Sequence, residues 1–238
     1  MKIALIGYGK MGKTIEKMAI EQGHEVVLKF DVDNFNEFTP ENIVKADVAI
    51  EFTRPESAFD NIATCIRAGV PVVSGTTGWL DKKPAVEALC AEKKGAFFYA
   101  SNYSVGVNIF FALNKFLAKM MSEQPQYRIE TEEIHHTQKL DAPSGTSITL
   151  AEGIIENIAQ KTDWINEASE ATDKVPIISK RIDKVPGTHT IAYQSAIDDI
   201  EIKHTAHSRA GFAGGAIQAA AWLVGKQGVF GMSDMLGF

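Results

Sequence analysis

The chain has 238 residues, 45% of them hydrophobic, and a formal charge of −6 at pH 7. This length exceeds the usual size of one domain and suggests two modest lobes. The negative charge argues against a nucleic-acid partner, and no apolar run approaches the roughly 20 residues that a membrane span requires. Because the N-terminus has no signal-peptide pattern, we expect a soluble, cytoplasmic protein. Cys65 and Cys90 lack a CxxC spacing, which favours reduced packing thiols.

The first part of the chain alternates strands with helices. Short apolar runs bounded by turn residues predict strands, and amphipathic stretches between them predict helices. The predicted strands are 2–7, 24–30, 46–52, 70–74 and 96–100, and the predicted helices are 11–22, 55–68 and 81–94. Such regular alternation indicates a parallel sheet with helices on both faces.

Beyond about residue 104 the pattern changes. The sequence predicts helices over 105–122 and 146–158, a strand over 127–134, and an antiparallel hairpin from 190–194 and 199–205. Pro176, Pro186 and Gly187 mark a polar region before the hairpin, and an alanine-rich helix covers about 213–225. We therefore expect a first lobe over 1–104, an α+β lobe over 105–212, and a final segment, 213–238, that packs back on the first lobe.

Gly7, Gly9 and Gly12 form a G-x-G-x-x-G pattern between the first strand and the first helix. The first glycine turns the chain, the second lets the backbone approach a pyrophosphate, and the third allows close helix packing. Asp31 ends the second strand, where an acidic side chain hydrogen-bonds a ribose hydroxyl. The pattern predicts a Rossmann-type, doubly wound parallel sheet that binds a nicotinamide dinucleotide. A glycine-rich turn without a ligand is the alternative.

The residues around Asp31 favour NADH over NADPH. Asp31 would repel an adenosine 2′-phosphate, and Val-Asp-Asn follows at 32–34 where an arginine would be needed. Lys10 and Lys29 could soften that preference. Two more loops, 75–78 and 100–103, follow predicted parallel strands, at the sheet edge where open α/β sheets place ligands. We expect them to contact the nicotinamide and ribose, although each could be a simple turn.

A second cluster of chemically active residues follows the strand 127–134. His135 and His136 can donate protons near neutral pH, and Lys139 supplies a fixed positive charge for a carboxylate. Ser144-Gly145-Thr146 then begins a helix, where amides and hydroxyls can hold a carboxylate. Catalysis with anion capture is one interpretation. Metal binding, which would need ligands from elsewhere, and a purely structural role are the others.

A lobe that binds a dinucleotide and a lobe that binds carboxylates and offers a proton would together reduce a polarised double bond in a small acid. The stretch 133–146, Glu-Ile-His-His-Thr-Gln-Lys-Leu-Asp-Ala-Pro-Ser-Gly-Thr, resembles the signature of the dihydrodipicolinate reductase family. Supporting matches lie at Gly7–Gly12, Glu51–Pro55, Gly75–Gly78, Ala100–Asn108 and Ser208–Ile217. The resemblance therefore covers nearly the whole chain.

The resemblance implies NAD(P)H-dependent reduction of 4-hydroxy-tetrahydrodipicolinate in lysine and diaminopimelate biosynthesis, by a homotetramer assembled through the second lobe. It implies that His135 donates the proton and that Lys139 is a second donor or a substrate-orienting cation. The implied substrate-binding residues are His136, Lys139, Ser144, Gly145 and Thr146. The implied cofactor-binding residues are Gly7, Tyr8, Gly9, Lys10, Met11, Gly12, Asp31, Gly75, Thr76, Thr77, Ala100, Ser101, Asn102 and Tyr103.

Two departures from the family pattern affect the cofactor. The stretch 32–45 is shorter than in the longer members, and no arginine follows Asp31. Arg54 and Arg209 either line the dinucleotide side or have ordinary surface roles. Two other functions remain open from the residues alone. One is another two-lobe dehydrogenase for a small amino or oxo acid, such as an aspartate-type dehydrogenase, and the other is a non-catalytic dinucleotide sensor.

Overall fold

The computed structural model describes residues 1–208 and 210–238. The chain divides into two compact units, one formed by Met1–Val105 with Ala210–Phe238 and the other by Gly106–Arg209. Arg209, one of the two candidate arginines for the dinucleotide side, lies outside the described residues. Within the described part of the chain, no helix is both long enough and apolar enough to cross a membrane.

The first unit contains a six-stranded parallel sheet with the strand order β11-β5-β4-β3-β1-β2. Its strands are β1 (Lys2–Ile6), β2 (Glu25–Phe30), β3 (Val48–Glu51), β4 (Val72–Ser74), β5 (Ala96–Tyr99) and β11 (Gly228–Phe230). Its helices are α1 (Lys10–Glu21), α2 (Pro40–Ile43), α3 (Pro55–Arg67), α4 (Lys83–Lys93), α7 (Ala210–Leu223) and α8 (Met232–Leu236). Short 3₁₀ turns occupy Phe35–Glu37 and Leu80–Lys82.

Both faces of this sheet are buried, which explains why its strands read as continuous apolar runs. On β1, Ile3 and Leu5 pack into a core with α1 and α7, whereas Ala4 and Ile6 pack into a second core with α3 and α4. Successive side chains of a strand point to opposite faces, so a strand covered on both faces needs apolar residues throughout. The predicted doubly wound parallel sheet is confirmed.

The second unit contains a mixed five-stranded sheet with the order β10-β9-β6-β8-β7. Its strands are β6 (Arg128–His135), β7 (Asp163–Ile165), β8 (Lys174–Arg181), β9 (Gly187–Gln194) and β10 (Asp199–Ala206), and its helices are α5 (Val105–Met121) and α6 (Gly145–Ile155). The predicted hairpin of β9 and β10 is antiparallel, as expected. The α+β class predicted for the second lobe is therefore confirmed.

Three strands, β7, β8 and β11, were not predicted from the sequence. The region around Pro176 was expected to be polar and irregular, but β8 runs through it and pairs in parallel with β6 and β7. A proline has no amide hydrogen to donate, which argues against an interior strand. Here the Pro176 carbonyl still accepts a hydrogen bond from Thr131 Oγ1 at 2.8 Å, and Val175 and Ile177 beside it are fully buried. The other two, β7 and β11, have only three residues each.

Gly215 brings α7 into close backbone contact with the segment that follows β5. A Cβ atom at this position would lie 1.7 Å from the carbonyl oxygen of Tyr103, which is a direct clash with backbone. At the adjacent Gly214, a Cβ would meet, among the described residues, only the terminal methyl of Met18, at 3.3 Å. Packing of α7 on this core therefore depends on the absence of a side chain at position 215.

These two neighbouring glycines give a matched test of that packing. We expect Gly215→Ala to lower the free energy of unfolding by roughly 1–3 kcal/mol, because overpacking forces a backbone shift. Gly214→Ala should be neutral or stabilising by up to about 1 kcal/mol, since alanine favours helix over glycine. Urea denaturation of both variants measures the difference. Equal stability of the two variants would contradict the close approach.

Candidate active site

The glycine pattern forms the turn from β1 into α1. Gly7 has a φ of +92°, and a Cβ there would lie 2.0 Å from the carbonyl oxygen of Phe52. A Cβ at Gly12 would lie 2.4 Å from the carbonyl oxygen of Gly7. Around Gly9, the N-cap of α1, no described residue other than its chain neighbours would lie within 4 Å of a Cβ. Two of the glycines are thus required by packing, and the third leaves open space at a helix start, which fits a dinucleotide phosphate.

Asp31 lies directly after β2, where the ribose contact was predicted. Its amide donates to Asn34 Oδ1 at 2.8 Å, and one of its carboxylate oxygens accepts from the amide of Val32 at 3.0 Å. Nearby, Lys29 forms an ion pair with Glu16 at 3.0 Å, and Glu16 also accepts a hydrogen bond from the Tyr8 hydroxyl. Lys29 is therefore already engaged by an acid and is less able to neutralise a 2′-phosphate.

A buried glutamate gathers the loops after β3 and β4. Glu51 is fully buried, and its carboxylate accepts from Ser74 Oγ at 2.5 Å, from Thr76 Oγ1 at 2.7 Å and from the Thr53 amide at 2.9 Å. The Thr53 hydroxyl donates to it as well. A buried carboxylate needs such donors. Glu51 was recognised in the sequence as part of a family match, but no local pattern predicted its role as the centre of these loops.

The predicted cofactor residues therefore divide into two kinds. The side chains of Thr76 and Tyr103 hold the loops together, since the Tyr103 hydroxyl donates to the carbonyl of Ser74 at 2.6 Å. Gly75 packs against the ring of Phe52. A Cβ at Gly75 would lie 2.1 Å from a carbon atom of that ring. The remaining predicted residues follow the ends of three strands: Tyr8, Lys10 and Met11 follow β1, with Lys10 and Met11 in the first turn of α1, Thr77 follows β4, and Ala100, Ser101 and Asn102 follow β5. The exposed Arg54 directly precedes α3, and its predicted role stays a prediction.

In the second unit, polar residues lie on the buried face of β6, near its C-terminal end. After the exposed Arg128, the strand alternates buried and half-buried residues, and its buried face ends with Thr131, Glu133 and His135. Glu133 has no solvent exposure and His135 is 8% exposed. The Nδ1 atom of His135 lies 3.4 Å from Glu133 Oε2 and has no hydrogen-bond partner among the described residues. We treat this contact as electrostatic.

Glu133 accepts hydrogen bonds from two directions. From the start of α6, the Ser144 amide donates at 3.1 and 3.2 Å and Ser147 Oγ donates at 2.8 Å. From β8, Ser179 Oγ donates at 2.8 Å and both terminal nitrogens of Arg181 lie at 3.3 Å. Burial alone would raise the pKa of Glu133, but these hydrogen bonds outweigh it and lower the pKa to about 2.

Two histidines pack together beside this carboxylate. The rings of His135 and His189 are 5.1 Å apart in a T-shaped arrangement, and His189 Nδ1 lies 3.1 Å from Ser147 Oγ. Burial lowers the pKa of His135, with Glu133 acting in the opposite direction. Burial also lowers the pKa of His189, to about 4. Sequence reasoning missed His189, because it lies on another strand and belongs to no motif.

Lys139 lies on the loop after β6, with its side chain 22% exposed. Its ammonium contacts both carboxylate oxygens of Asp141, at 2.7 and 2.8 Å. Arg181 holds the same loop from β8, because it donates to the carbonyl oxygens of Lys139 at 3.3 Å and Asp141 at 2.6 Å. The half-buried His136 begins this loop. Arg181 was also missed by the sequence analysis, since it stands more than forty residues from the loop.

The start of α6 is arranged as an anion site. Ser144 is the N-cap, and its hydroxyl accepts from the Ser147 amide at 3.2 Å, while its own amide donates to Glu133. The first amides of a helix have no partner within the helix. Among the described residues, the amides of Gly145 and Thr146 have no hydrogen-bond partner. These two donors point toward the helix start, where a carboxylate binds favourably.

A metal ion is the competing interpretation of the buried cluster. Glu133, His135 and His189 each offer a ligand atom, and these atoms lie within 4.8 Å of one another. However, the oxygens of Glu133 already accept bonds from three serines, and the guanidinium of Arg181 lies 3.3 Å away. A divalent cation would have to displace those donors and sit beside a positive charge. The donor set therefore fits a hydrogen-bonded carboxylate better than a metal ligand.

Comparison with known proteins gives matches over both units. The family model described as "Dihydrodipicolinate reductase, N-terminus" matches residues 1–103, and the one described as "Dihydrodipicolinate reductase, C-terminus" matches residues 106–236. A 4-hydroxy-tetrahydrodipicolinate reductase of Christiangramia forsetii is 52% identical over 237 residues, which cover 99% of this chain and 98% of that protein. A 4-hydroxy-tetrahydrodipicolinate reductase of Methanoregula boonei is 32% identical, and the match covers 99% of this chain and 98% of that protein.

A solved structure agrees with the fold. The dipicolinate-bound dihydrodipicolinate reductase from Paenisporosarcina sp. TG-14 superposes with a TM-score of 0.80, at 23% sequence identity, over 98% of each chain. A probable dehydrogenase from Thermotoga maritima superposes with a TM-score of 0.56 at 10% identity. At such identities these likenesses concern the fold alone.

The lowered pKa of His189 predicts an acid-dependent loss of stability. The folded protein keeps His189 neutral down to about pH 4, whereas an unfolded chain protonates histidine near pH 6.5. The contribution of His189 to the free energy of unfolding is therefore fully present above about pH 6.5. It falls by up to about 3 kcal/mol as the pH drops from about 6.5 to 4. Urea denaturation across this range should show a shallower decline for His189→Gln. His207→Gln, at an exposed histidine of the same unit, is the control, and an unchanged slope in His189→Gln would contradict the assignment.

Proposed function

The chain belongs to the dihydrodipicolinate reductase family, and we propose that its two units divide the work of that reaction. The protein catalyses the NAD(P)H-dependent reduction of 4-hydroxy-tetrahydrodipicolinate to tetrahydrodipicolinate, a step of lysine and diaminopimelate biosynthesis. In the proposal, residues 1–104 with 213–238 bind the dinucleotide, and residues 105–212 bind the dicarboxylate and mediate oligomerisation. The alternative of a non-catalytic dinucleotide sensor gives no role to the anion site of the second unit.

The observation that carries the proposal is the pair of unpartnered amides at the start of α6 beside a lysine and two histidines. Gly145 and Thr146 offer two N–H donors. Lys139 adds a cation whose present partner, Asp141, is 61% exposed and thus easily exchanged for a substrate carboxylate. A small dicarboxylate presents two such groups. We assign substrate binding to His136, Lys139, Ser144, Gly145 and Thr146.

The reduction needs a hydride and a proton. Loss of water from the hydroxylated ring leaves a double bond conjugated to an imine, and NAD(P)H, when bound, supplies the hydride to the ring carbon of that system. Negative charge that develops on the ring is stabilised by Lys139 and by the helix amides. We propose that His135 then gives its proton to the resulting enamine, with Lys139 as a second donor or an orienting cation.

The dinucleotide is held by the carboxyl edge of the first sheet. The open space at Gly9 admits a pyrophosphate against the first amides of α1. The proposed cofactor-binding residues are Gly7, Tyr8, Gly9, Lys10, Met11, Gly12, Asp31, Gly75, Thr76, Thr77, Ala100, Ser101, Asn102 and Tyr103. We propose that NADH is favoured over NADPH, because Asp31 is followed by the exposed Val32 and because Lys29 is paired with Glu16.

We further propose a cytoplasmic homotetramer assembled through the second unit. Family membership supports the assembly, and the edge strand β10 supports it physically. This strand pairs with β9 on one side, and within the described chain its other side has no partner strand. An open strand edge is suited to association. The two cysteines, Cys65 and Cys90, are free thiols, which is typical of a reducing compartment.

Replacement of the proposed proton donor tests the mechanism. His135→Gln should lower kcat by roughly 10²-fold or more, because general acid catalysis is lost while dinucleotide binding stays intact. The measurement is NADH oxidation, coupled to the aldolase that makes the substrate. His24→Gln, in the first unit before β2, should keep the wild-type rate. An unchanged rate in His135→Gln would remove the role of His135.

Cofactor preference can be tested at Asp31. The wild-type protein should bind NADH more tightly than NADPH. Asp31→Ala should weaken NADH binding by roughly 10-fold or more, because hydrogen bonds to a charged group contribute about 1.5–3 kcal/mol, and it should bring the two affinities closer together. Asp33→Ala, at the exposed acid two residues later, is the matched control. Titrations that show tighter NADPH binding by the wild-type protein would contradict the preference.

A further inference from the structure

Glu133 lies at the point where three segments of the proposed substrate site meet. The strand β6 places it on the buried face, where the side chain has no solvent exposure. The start of α6 reaches it through Ser144 and Ser147, and β8 reaches it through Ser179 and Arg181. Each of these contacts is made by a hydrogen-bond donor. The arrangement therefore requires an ionised carboxylate at this position, since a protonated one would face donors with its own O–H.

The contacts of Glu133 fix the helix start that carries the anion site. Because the Ser144 amide is bound by Glu133 and the Ser147 amide by the Ser144 hydroxyl, the two outer donors of the first turn are satisfied. The amides of Gly145 and Thr146, which lie between them, are left for a ligand. Glu133 thus determines which of the helix amides are available, although it need not contact the ligand itself.

The same carboxylate controls the loop through Arg181. One guanidinium joins Glu133 Oε1 to the carbonyl oxygens of Lys139 and Asp141. The planar, five-donor shape of arginine suits this kind of bridging, and a lysine would not reproduce it. The backbone of Lys139 is held in this way, while its ammonium is paired with the exposed Asp141.

Glu133 also faces the proposed proton donor. His135 Nδ1 lies 3.4 Å from its Oε2, and the opposite nitrogen, Nε2, lies beside Gly187, where a Cβ would approach to 3.1 Å. The other charged or titratable groups near His135 are His136, Lys139, Arg181 and His189. Positive charge on any of these opposes protonation of His135, and Glu133 is the acid that favours it.

From these contacts we infer that Glu133 is the positioning residue of the substrate site: its ionised carboxylate orients His135, the start of α6 and, through Arg181, the Lys139 loop. The inference rests on the proposed function for its catalytic consequence. It assigns to Glu133 three effects that are separable by measurement. These are the tautomer and pKa of His135, the affinity for a dicarboxylate, and the turnover rate.

The variant Glu133→Gln keeps the shape of the side chain and removes the charge. We expect kcat/KM to fall by roughly 10²-fold, as displaced catalytic groups commonly cause. Dipicolinate should bind about 10-fold or more weakly, measured by calorimetry, because the helix start and the loop lose their anchor. Glu132→Gln is the matched control. Glu132 is the adjacent residue on the opposite face of β6, paired with Lys180, and its replacement should change neither quantity.

The pH dependence separates positioning from a general loss of structure. Without its neighbouring carboxylate, His135 should have a lower pKa in Glu133→Gln, so the remaining activity should rise toward lower pH relative to the wild type. Glu133→Asp keeps the charge but is shorter by one methylene. It should restore the wild-type pH profile and leave dicarboxylate binding weakened. A His135 pKa and a dipicolinate affinity that are unchanged in Glu133→Gln would overturn the inference.

Histidine NMR of the wild-type protein tests the same inference without any variant at position 133. The signals of His135 are assigned by their loss in His135→Gln. When neutral, His135 should carry its proton on Nδ1, facing Glu133, and the Nε2–H tautomer would refute the inference even if Glu133→Gln fails to fold. This readout does not involve turnover. A wild-type protein with the expected tautomer but no NADH or NADPH oxidation would overturn the proposed function and leave the positioning role intact.

Discussion

The structure depends on a buried, hydrogen-bonded carboxylate at the end of a strand in each unit. Glu51 is the last residue of β3, and Glu133 lies two residues before the end of β6. Neither side chain is exposed to solvent. A charge in such a place is stable only if donors surround it, so the loops that follow the strands must converge on it. In the first unit the donors come from the loops after β3 and β4, which are proposed to bind the dinucleotide. In the second unit they come from the helix start and strand around the anion site. One electrostatic requirement thereby shapes both proposed binding regions.

Glycines act on the same regions by excluding side chains. Gly7, Gly12 and Gly75 lie so close to neighbouring backbone or to the Phe52 ring that any Cβ would clash. Gly9 differs, because no described residue other than its chain neighbours would lie within 4 Å of a Cβ there. The contrast gives the G-x-G-x-x-G pattern a physical meaning in this chain: two glycines allow the turn to pack, and one leaves room for a ligand. Likewise, the absence of a side chain at Gly187 leaves room next to His135 Nε2, since a Cβ there would lie 3.1 Å from that nitrogen.

Much of the fold was predictable because local pattern and burial agree. The apolar runs of β1 and β3 identify a doubly buried parallel sheet, and the residues from His135 to Thr146 are close together in the chain as well as in space. The remainder depends on distant partners. Arg181 and Ser179 reach Glu133 across more than forty residues, and His189 meets Ser147 across a similar separation. No spacing rule connects such residues. The strand β8 was not predicted because it contains Pro176, and a proline, which lacks an amide hydrogen, is unusual in an interior strand.

We propose a division between residues that contact the substrate and a residue that positions them. His135, Lys139 and the amides at the start of α6 form the former group, and Glu133 is the latter. A crystal structure of the protein with NADH and dipicolinate tests this division directly. We expect one carboxylate of dipicolinate to bind the amides of Gly145 and Thr146, with Lys139 released from Asp141 and Glu133 still bound by its serines and Arg181. Dipicolinate bound away from α6, or in direct contact with Glu133, would contradict it.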